Sequence, residues 1–115
     1  MNFELRVALY DLKLKISELK MTMTQLLSSA EIETKISQLS DWSLEGKTIK
    51  CIRTFPGFIQ AIAFVNQLVE PAESAAHHPD LEISYNKVTI SLTTHDAGGL
   101  TEKDFDLAKT ISQLK

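Results

Sequence analysis

At 115 residues, with 43% hydrophobic and 23% charged side chains, the chain has the size and balance of one globular domain with its own core. A net charge of −3, and no basic cluster larger than Lys13 with Lys15, argue against a nucleic-acid partner, which needs a basic face. The single cysteine, Cys51, cannot close an internal disulfide, no apolar run approaches the ~20 residues that cross a bilayer, and Glu4, Arg6 and Asp11 interrupt any signal-like start. The expectation is a cytoplasmic protein with no membrane partner.

Residues 1–22 fit two templates. Phe3, Leu5, Val7 and Leu9 alternate as in a strand, while Leu5, Leu9, Leu12, Ile16 and Leu19 form one helical stripe. The Leu, Lys and Glu content favours helix, as does the lack of Gly and Pro. This segment is set apart as an N-terminal extension of uncertain structure ahead of a domain over residues 23–115. A natural start at Met21 or Met23 is an alternative reading.

Ser28-Ser29-Ala30-Glu31 is a capping box that predicts a helix ending near Ser40, with Ile32, Ile36 and Leu39 on its buried face. Trp42–Glu45 and the β-branched run Thr48–Phe55 predict a hairpin that turns at Gly46-Lys47. Trp42 reads as a core anchor and Cys51 as a small core residue. After Pro56-Gly57 a long helix is predicted, its stripe set by Phe58, Ile62, Val65 and Val69 and widened by Ala61, Phe64 and Leu68. So much apolar surface suits either a deeply buried helix or one that meets a second subunit. Pro71 removes a backbone donor, so a kink is predicted near Val69 or Glu70, with Pro71 opening a new segment that carries Glu73 and delivers His77.

Leu81, Ile83 and Tyr85 alternate with polar residues, as do Val88, Ile90 and Leu92, which predicts a second hairpin turning at Asn86-Lys87. Parity puts Thr94 on the apolar face with Leu92 and turns His95 away from it. Ala97-Gly98-Gly99 reads as a flexible connection. Thr101-Glu102-Lys103-Asp104 is a variant capping box for a last helix that buries Phe105, Leu107, Ala108, Ile111 and Leu114. The order α-β-β-α-β-β-α implies an α+β domain: a four-stranded antiparallel sheet with helices packed on one face.

All three histidines fall between Glu73 and Asp104. Adjacent residues do not share a helical face, so His77 and His78 cannot both point inward from a regular helix. Pro79 biases His78 away from the α region and predicts a helix end there, with the two rings on a bend. Imidazoles suit proton transfer near neutral pH. The convergence of His77, His78 and His95 on one small hollow is the working expectation. No metal is expected, because the helical His-Glu-x-x-His arrangement is absent and cysteine is scarce. Asp104 also reads as a helix cap, and Glu73 as a solvated helix residue.

Glu73-x-x-x-His77-His78-Pro79, followed by Tyr85, His95 and Asp104, resembles the signature of the pterin-4a-carbinolamine dehydratases. Tyr85-Asn86-Lys87-Val88, the run Thr94 to Leu100, and the aromatic pair Phe55 and Phe58 are similar as well. The resemblance covers about residues 24–115. Pro71 departs from it by interrupting a helix often continuous in relatives, and Leu81 by standing where some place an aromatic. The resemblance implies dehydration of a 4a-hydroxytetrahydrobiopterin-type substrate to the quinonoid dihydropterin, with no cofactor. It implies catalytic roles for His77, His78 and His95 and supporting or substrate-binding roles for Glu73, Pro79 and Asp104. It also implies a homodimer or homotetramer. A non-catalytic interaction or assembly factor on the same scaffold is the alternative.

Overall fold

The computed structural model describes residues 25–115, and the readings of residues 1–22 lie outside them. The elements are α1 (Ser29–Ser37), β1 (Trp42–Glu45), β2 (Thr48–Thr54), α2 (Phe58–Gln67), α3 (Val69–Ala75), β3 (Asp80–Ser84), β4 (Lys87–Leu92) and α4 (Glu102–Ser112), with a 3-10 turn at His95–Ala97 between the last two. The strands form one antiparallel sheet in the order β1-β2-β4-β3. The fold is therefore the α+β architecture expected, with the central helix divided in two.

Strand alternation sorts the two faces of the sheet. Trp42, Ile49, Cys51, Val88, Ile90 and Leu92 are buried against the helices, joined there by Phe64, Leu68, Phe105 and Ile111. The opposite face carries Ser43, Lys50, Glu82, Thr89 and Ser91, with Ile52 as an exposed apolar exception. Trp42 is the core anchor expected, and its indole N–H donates to Ser112 Oγ at 2.8 Å.

Both predicted caps form. Ser28 Oγ accepts from Glu31 N–H at 3.2 Å, and the Glu31 carboxylate accepts in return from Ser28 N–H at 3.0 Å. Hydrogen bonding from Ser28, first from its backbone N–H and then from its side chain, holds the Glu31 carboxyl below its usual range. Helix α1 ends at Ser37 rather than near Ser40, because its last turn tightens: Gln38 N–H reaches Lys35 O at 3.1 Å and Leu39 N–H reaches Ile36 O at 3.1 Å.

The central helix departs from expectation in its buried face. Ala61, Phe64, Leu68 and Ala72 face the core, while Phe58, Ile59 and Val69 are 52%, 79% and 59% exposed. Nearly every position from Phe58 to Val65 is apolar, so periodicity could not choose a stripe. Packing chose it: the Phe64 ring lies 5.1 Å from that of Phe55, and the Arg53 guanidinium sits 4.8 Å from its centroid. The break falls at Leu68, slightly ahead of the predicted kink. Leu68 stays in the right-handed region, and its N–H closes a tight turn on Val65 O at 3.0 Å. Pro71 is then the third residue of α3, where a missing N–H is least costly.

The second hairpin turns one residue earlier than predicted. Ser84 pairs with Lys87, which leaves Tyr85 and Asn86 as the loop, and Tyr85 takes a left-handed φ of 51°. Asn86 sits there because it ties the loop to the end of β2: its side-chain amide donates to Phe55 O at 2.8 Å and its carbonyl accepts from Phe55 N–H at 2.8 Å. The glycine connection is also ordered. Gly98 closes the 3-10 turn at φ 79°, and Gly99 bridges back to Thr94.

Candidate active site

Helix α3 stops at Ala75, before either histidine, and not at His78 as Pro79 alone suggested. Ala76 adopts φ 50°, ψ 38°, and two backbone bonds seal the end: Ala76 N–H to Glu73 O and His77 N–H to Ala72 O, both at 3.1 Å. This is a Schellman ending with alanine where glycine is usual. His77 and His78 thus leave the helix as a short link, which Pro79 passes on to β3. Free of helical geometry, the two rings part company. His77 Nε2 lies 2.6 Å from Asp104 Oδ1, and His78 Nε2 lies 2.6 Å from Glu73 Oε2.

The Asp104 carboxylate divides its two oxygens. Oδ1 meets His77, while Oδ2 accepts the Thr101 N–H at 2.9 Å and the Thr94 hydroxyl at 2.8 Å. Asp104 is therefore both the cap of α4 and the hydrogen-bond partner of an imidazole. Thr94 and Thr101 are joined hydroxyl to hydroxyl at 2.7 Å. Thr94, Thr101 and Asp104 are 6%, 0% and 0% exposed, and no buried polar side-chain atom among the described residues lacks a partner. Burial of a carboxylate is tolerable here because each oxygen is hydrogen-bonded.

The other two imidazoles stand in water. His78 and Glu73 have side chains 61% and 68% exposed, and their pair borders a groove of about 290 Å³ walled by Val65, Val69 and Leu81, with Pro79 at its edge. His95, on the 3-10 turn, is 79% exposed, with its Nε2 at 3.9 Å from Asp80 Oδ2. Neither His77 nor His95 lines the groove. Each ring thus neighbours a different carboxylate, two at hydrogen-bond distance and that of His95 at 3.9 Å, and of the three only His78 lines the groove. Asp80, Thr94 and Thr101 were missed as site residues. Thr94 did carry a signal: parity already placed its hydroxyl on the buried face, where it needs a partner.

Among the described residues, no group of three or more His, Cys, Asp or Glu side chains is arranged to hold a metal ion. None of their helices is long and apolar enough to cross a membrane.

Residues 25–114 match the model of the family described as pterin 4 alpha carbinolamine dehydratase. A protein of Trichormus variabilis, provisionally named pterin-4-alpha-carbinolamine dehydratase, is 67% identical over 92 residues, which cover 80% of this chain and 99% of its own length. One from Roseiflexus sp., with the same provisional name, is 51% identical over 92 residues, with 80% and 99% covered. The fold superposes on a crystal structure described as a transcriptional coactivator/pterin dehydratase from Brucella melitensis with a TM-score of 0.71 and 31% identity, covering 75% of this chain and 94% of that one. A pterin dehydratase-like protein described as a RuBisCO assembly factor in the alpha-carboxysome gives a TM-score of 0.52 at 23% identity over 62% of this chain and 84% of its own, a likeness of fold alone.

Proposed function

Since the chain belongs to the pterin-4a-carbinolamine dehydratase family, we propose that it removes water from a 4a-hydroxytetrahydrobiopterin-type carbinolamine, giving the quinonoid dihydropterin for cofactor recycling. The observation that carries this reading is the pair of adjacent imidazoles, each held at 2.6 Å by its own carboxylate, one carboxylate buried and the other exposed. Two titratable groups in contrasting surroundings are what acid and base roles require. Dehydration needs an acid to protonate the departing hydroxyl as the C4a–O bond breaks, and a base to take a ring-nitrogen proton. His77 and His78 are the proton-transfer pair in this reading, and His95 positions the pterin. Glu73 and Asp104 orient the imidazoles, and Pro79 shapes the edge of the groove.

The groove beside His78 supports the substrate assignment. At about 290 Å³ it lies at the small end of ligand clefts. Its Val65, Val69 and Leu81 wall offers apolar surface to a flat bicyclic ring. The exposed Phe58, Ile59 and Val69 support assembly as a homodimer or homotetramer; in this reading residues 23–115 are the dehydratase domain and the protein works in the cytoplasm. The deciding experiment is stopped-flow absorbance of a synthetic 4a-hydroxytetrahydropterin. Wild type should accelerate its dehydration, and His78→Ala should lose roughly 10²–10⁴ of that acceleration. Wild-type turnover no faster than buffer would leave a non-catalytic interaction or assembly factor on this scaffold.

A further inference from the structure

We propose that Thr94 is a positioning residue which, together with Thr101, fixes the proton of His77 on Nε2 and leaves Nδ1 as the nitrogen that exchanges protons with substrate. The kinetic part of this inference rests on the dehydratase reading; the structural part does not.

The hydrogen-bond directions lead there one at a time. The Thr101 N–H can only donate, and it donates to Asp104 Oδ2. The Thr94 hydroxyl donates to the same oxygen. Two donors on Oδ2 leave no room for a carboxyl proton there, and with Asp104 ionised both of its oxygens only accept. Thr94 has a single hydroxyl proton and spends it on Asp104, so the proton between the two threonines comes from Thr101. At Oδ1 the carboxylate again only accepts, so His77 presents Nε2–H across the 2.6 Å contact. A neutral imidazole carries one N–H, which leaves Nδ1 as the bare acceptor. Nδ1 has no hydrogen-bond partner among the described residues, and the His77 side chain keeps 10% of its surface exposed.

Thr94 also reaches the third imidazole. Its carbonyl accepts from Ala97, Gly98 and Gly99 N–H at 3.1, 3.0 and 3.3 Å, which closes the turn that begins at His95. One residue thus orders His77 through its side chain and His95 through its backbone.

The test begins with the wild-type protein. Long-range ¹⁵N–¹H imidazole spectra above the titration range of histidine, with His77 assigned by its loss in His77→Gln, should show Nε2 protonated and Nδ1 bare. Thr94→Val leaves Asp104 Oδ2 one donor short, so the carboxylate can turn or take up a proton; the His77 tautomers should then mix and kcat should fall about 10-fold, the scale seen when an outer partner that orients an imidazole is removed. KM should stay within about twofold, because ground-state binding is untouched. Thr94→Ser, which restores the donor, should recover both the single tautomer and kcat. Protonated Nδ1 in the wild type overturns the proposal, and this arm decides it even if Thr94→Val does not fold. An unchanged tautomer and kcat in a folded Thr94→Val protein overturns it as well. Failure of the dehydratase reading has a different signature: no wild-type turnover, with the tautomer result standing.

Discussion

Arg53 should be worth more to this fold than any exposed charge. It projects from the core side of β2 and caps the C-terminal end of α4 with three hydrogen bonds: to Leu114 O at 2.6 Å, Ile111 O at 3.1 Å and Ser112 O at 3.2 Å. Cations at a helix C-terminus gain from the unpaired carbonyls and from the helix dipole. One charge-assisted bond is worth ~1.5–3 kcal/mol, and the two longer ones add less because a single guanidinium serves all three. Contact with the Phe64 face adds about 0.5–1 kcal/mol. The ion pair with Asp41, at 3.9 Å and partly exposed, adds little. Since the Arg53 side chain is 21% exposed, water replaces part of what is lost, and Arg53→Met should cost about 2–3 kcal/mol. For a domain of this size that lowers Tm by roughly 10–20 °C. Arg53→Lys keeps the charge but not the fork, so its loss should fall between wild type and Met. Thermal melts followed by fluorescence of Trp42, the only tryptophan, would report directly, because its indole donates to Ser112 on the same helix end. A Tm within about 3 °C of wild type for Arg53→Met would refute the capping argument.

His77→Ala and His78→Ala should separate in stability. The first strands an oxygen of the fully buried Asp104 and should cost ~1–3 kcal/mol, while the second, at an exposed pair, should stay within about 0.5 kcal/mol in urea titrations. Ala76→Gly should stabilise by ~0.5–1 kcal/mol, because the left-handed φ of 50° is strained for any residue with a Cβ; a lower Tm would contradict this. Burial pushes the Cys51 thiol up, with the Asp41 carboxylate as the next cause. The unfolded chain therefore loses its thiol proton first as pH rises. The contribution of Cys51 is complete below the ordinary thiol value of about 8.5 and is lost as pH climbs from there toward the raised folded value. Denaturation curves at pH 8 to 10 should show that decline in wild type and a shallower one in Cys51→Ala, on the order of one ionisation.

Local rules were readable wherever one residue type admits one geometry. The capping boxes at Ser28 and Thr101 and the turn at Gly46-Lys47 lie where the residues put them. The same holds for the alternation of Val88, Ile90 and Leu92. Legibility failed where several choices cost the same. A helix apolar nearly all round cannot declare its inward face, and Phe64 settled that by meeting Phe55 and Arg53 from distant parts of the chain. The end of α3 was misread because Ala76 takes a conformation its side chain disfavours, and only the bonds to Ala72 and Glu73 make it tolerable. At the candidate site, the family motif named the residues but not their partners. Spacing offers no means of choosing between Glu73 and Asp104 as the companion of His77, since that depends on how α3 packs on α4. Of the three rings expected around one hollow, His78 alone lines the groove described above, and each ring neighbours a different carboxylate.

The bond between His77 and Asp104 joins positions 27 apart, and its acidic half lies on the first turn of the last helix. No sub-fragment ending before that helix can make it. A molecule whose C-terminal helix has momentarily detached uncovers the Phe105 and Ile111 side of its core and loses the counterpart of its inner imidazole. On the dehydratase reading such a molecule lacks one of its two proton-transfer groups in working order. Mild heating or denaturant should therefore remove working copies in an all-or-none fashion, leaving each survivor at full rate.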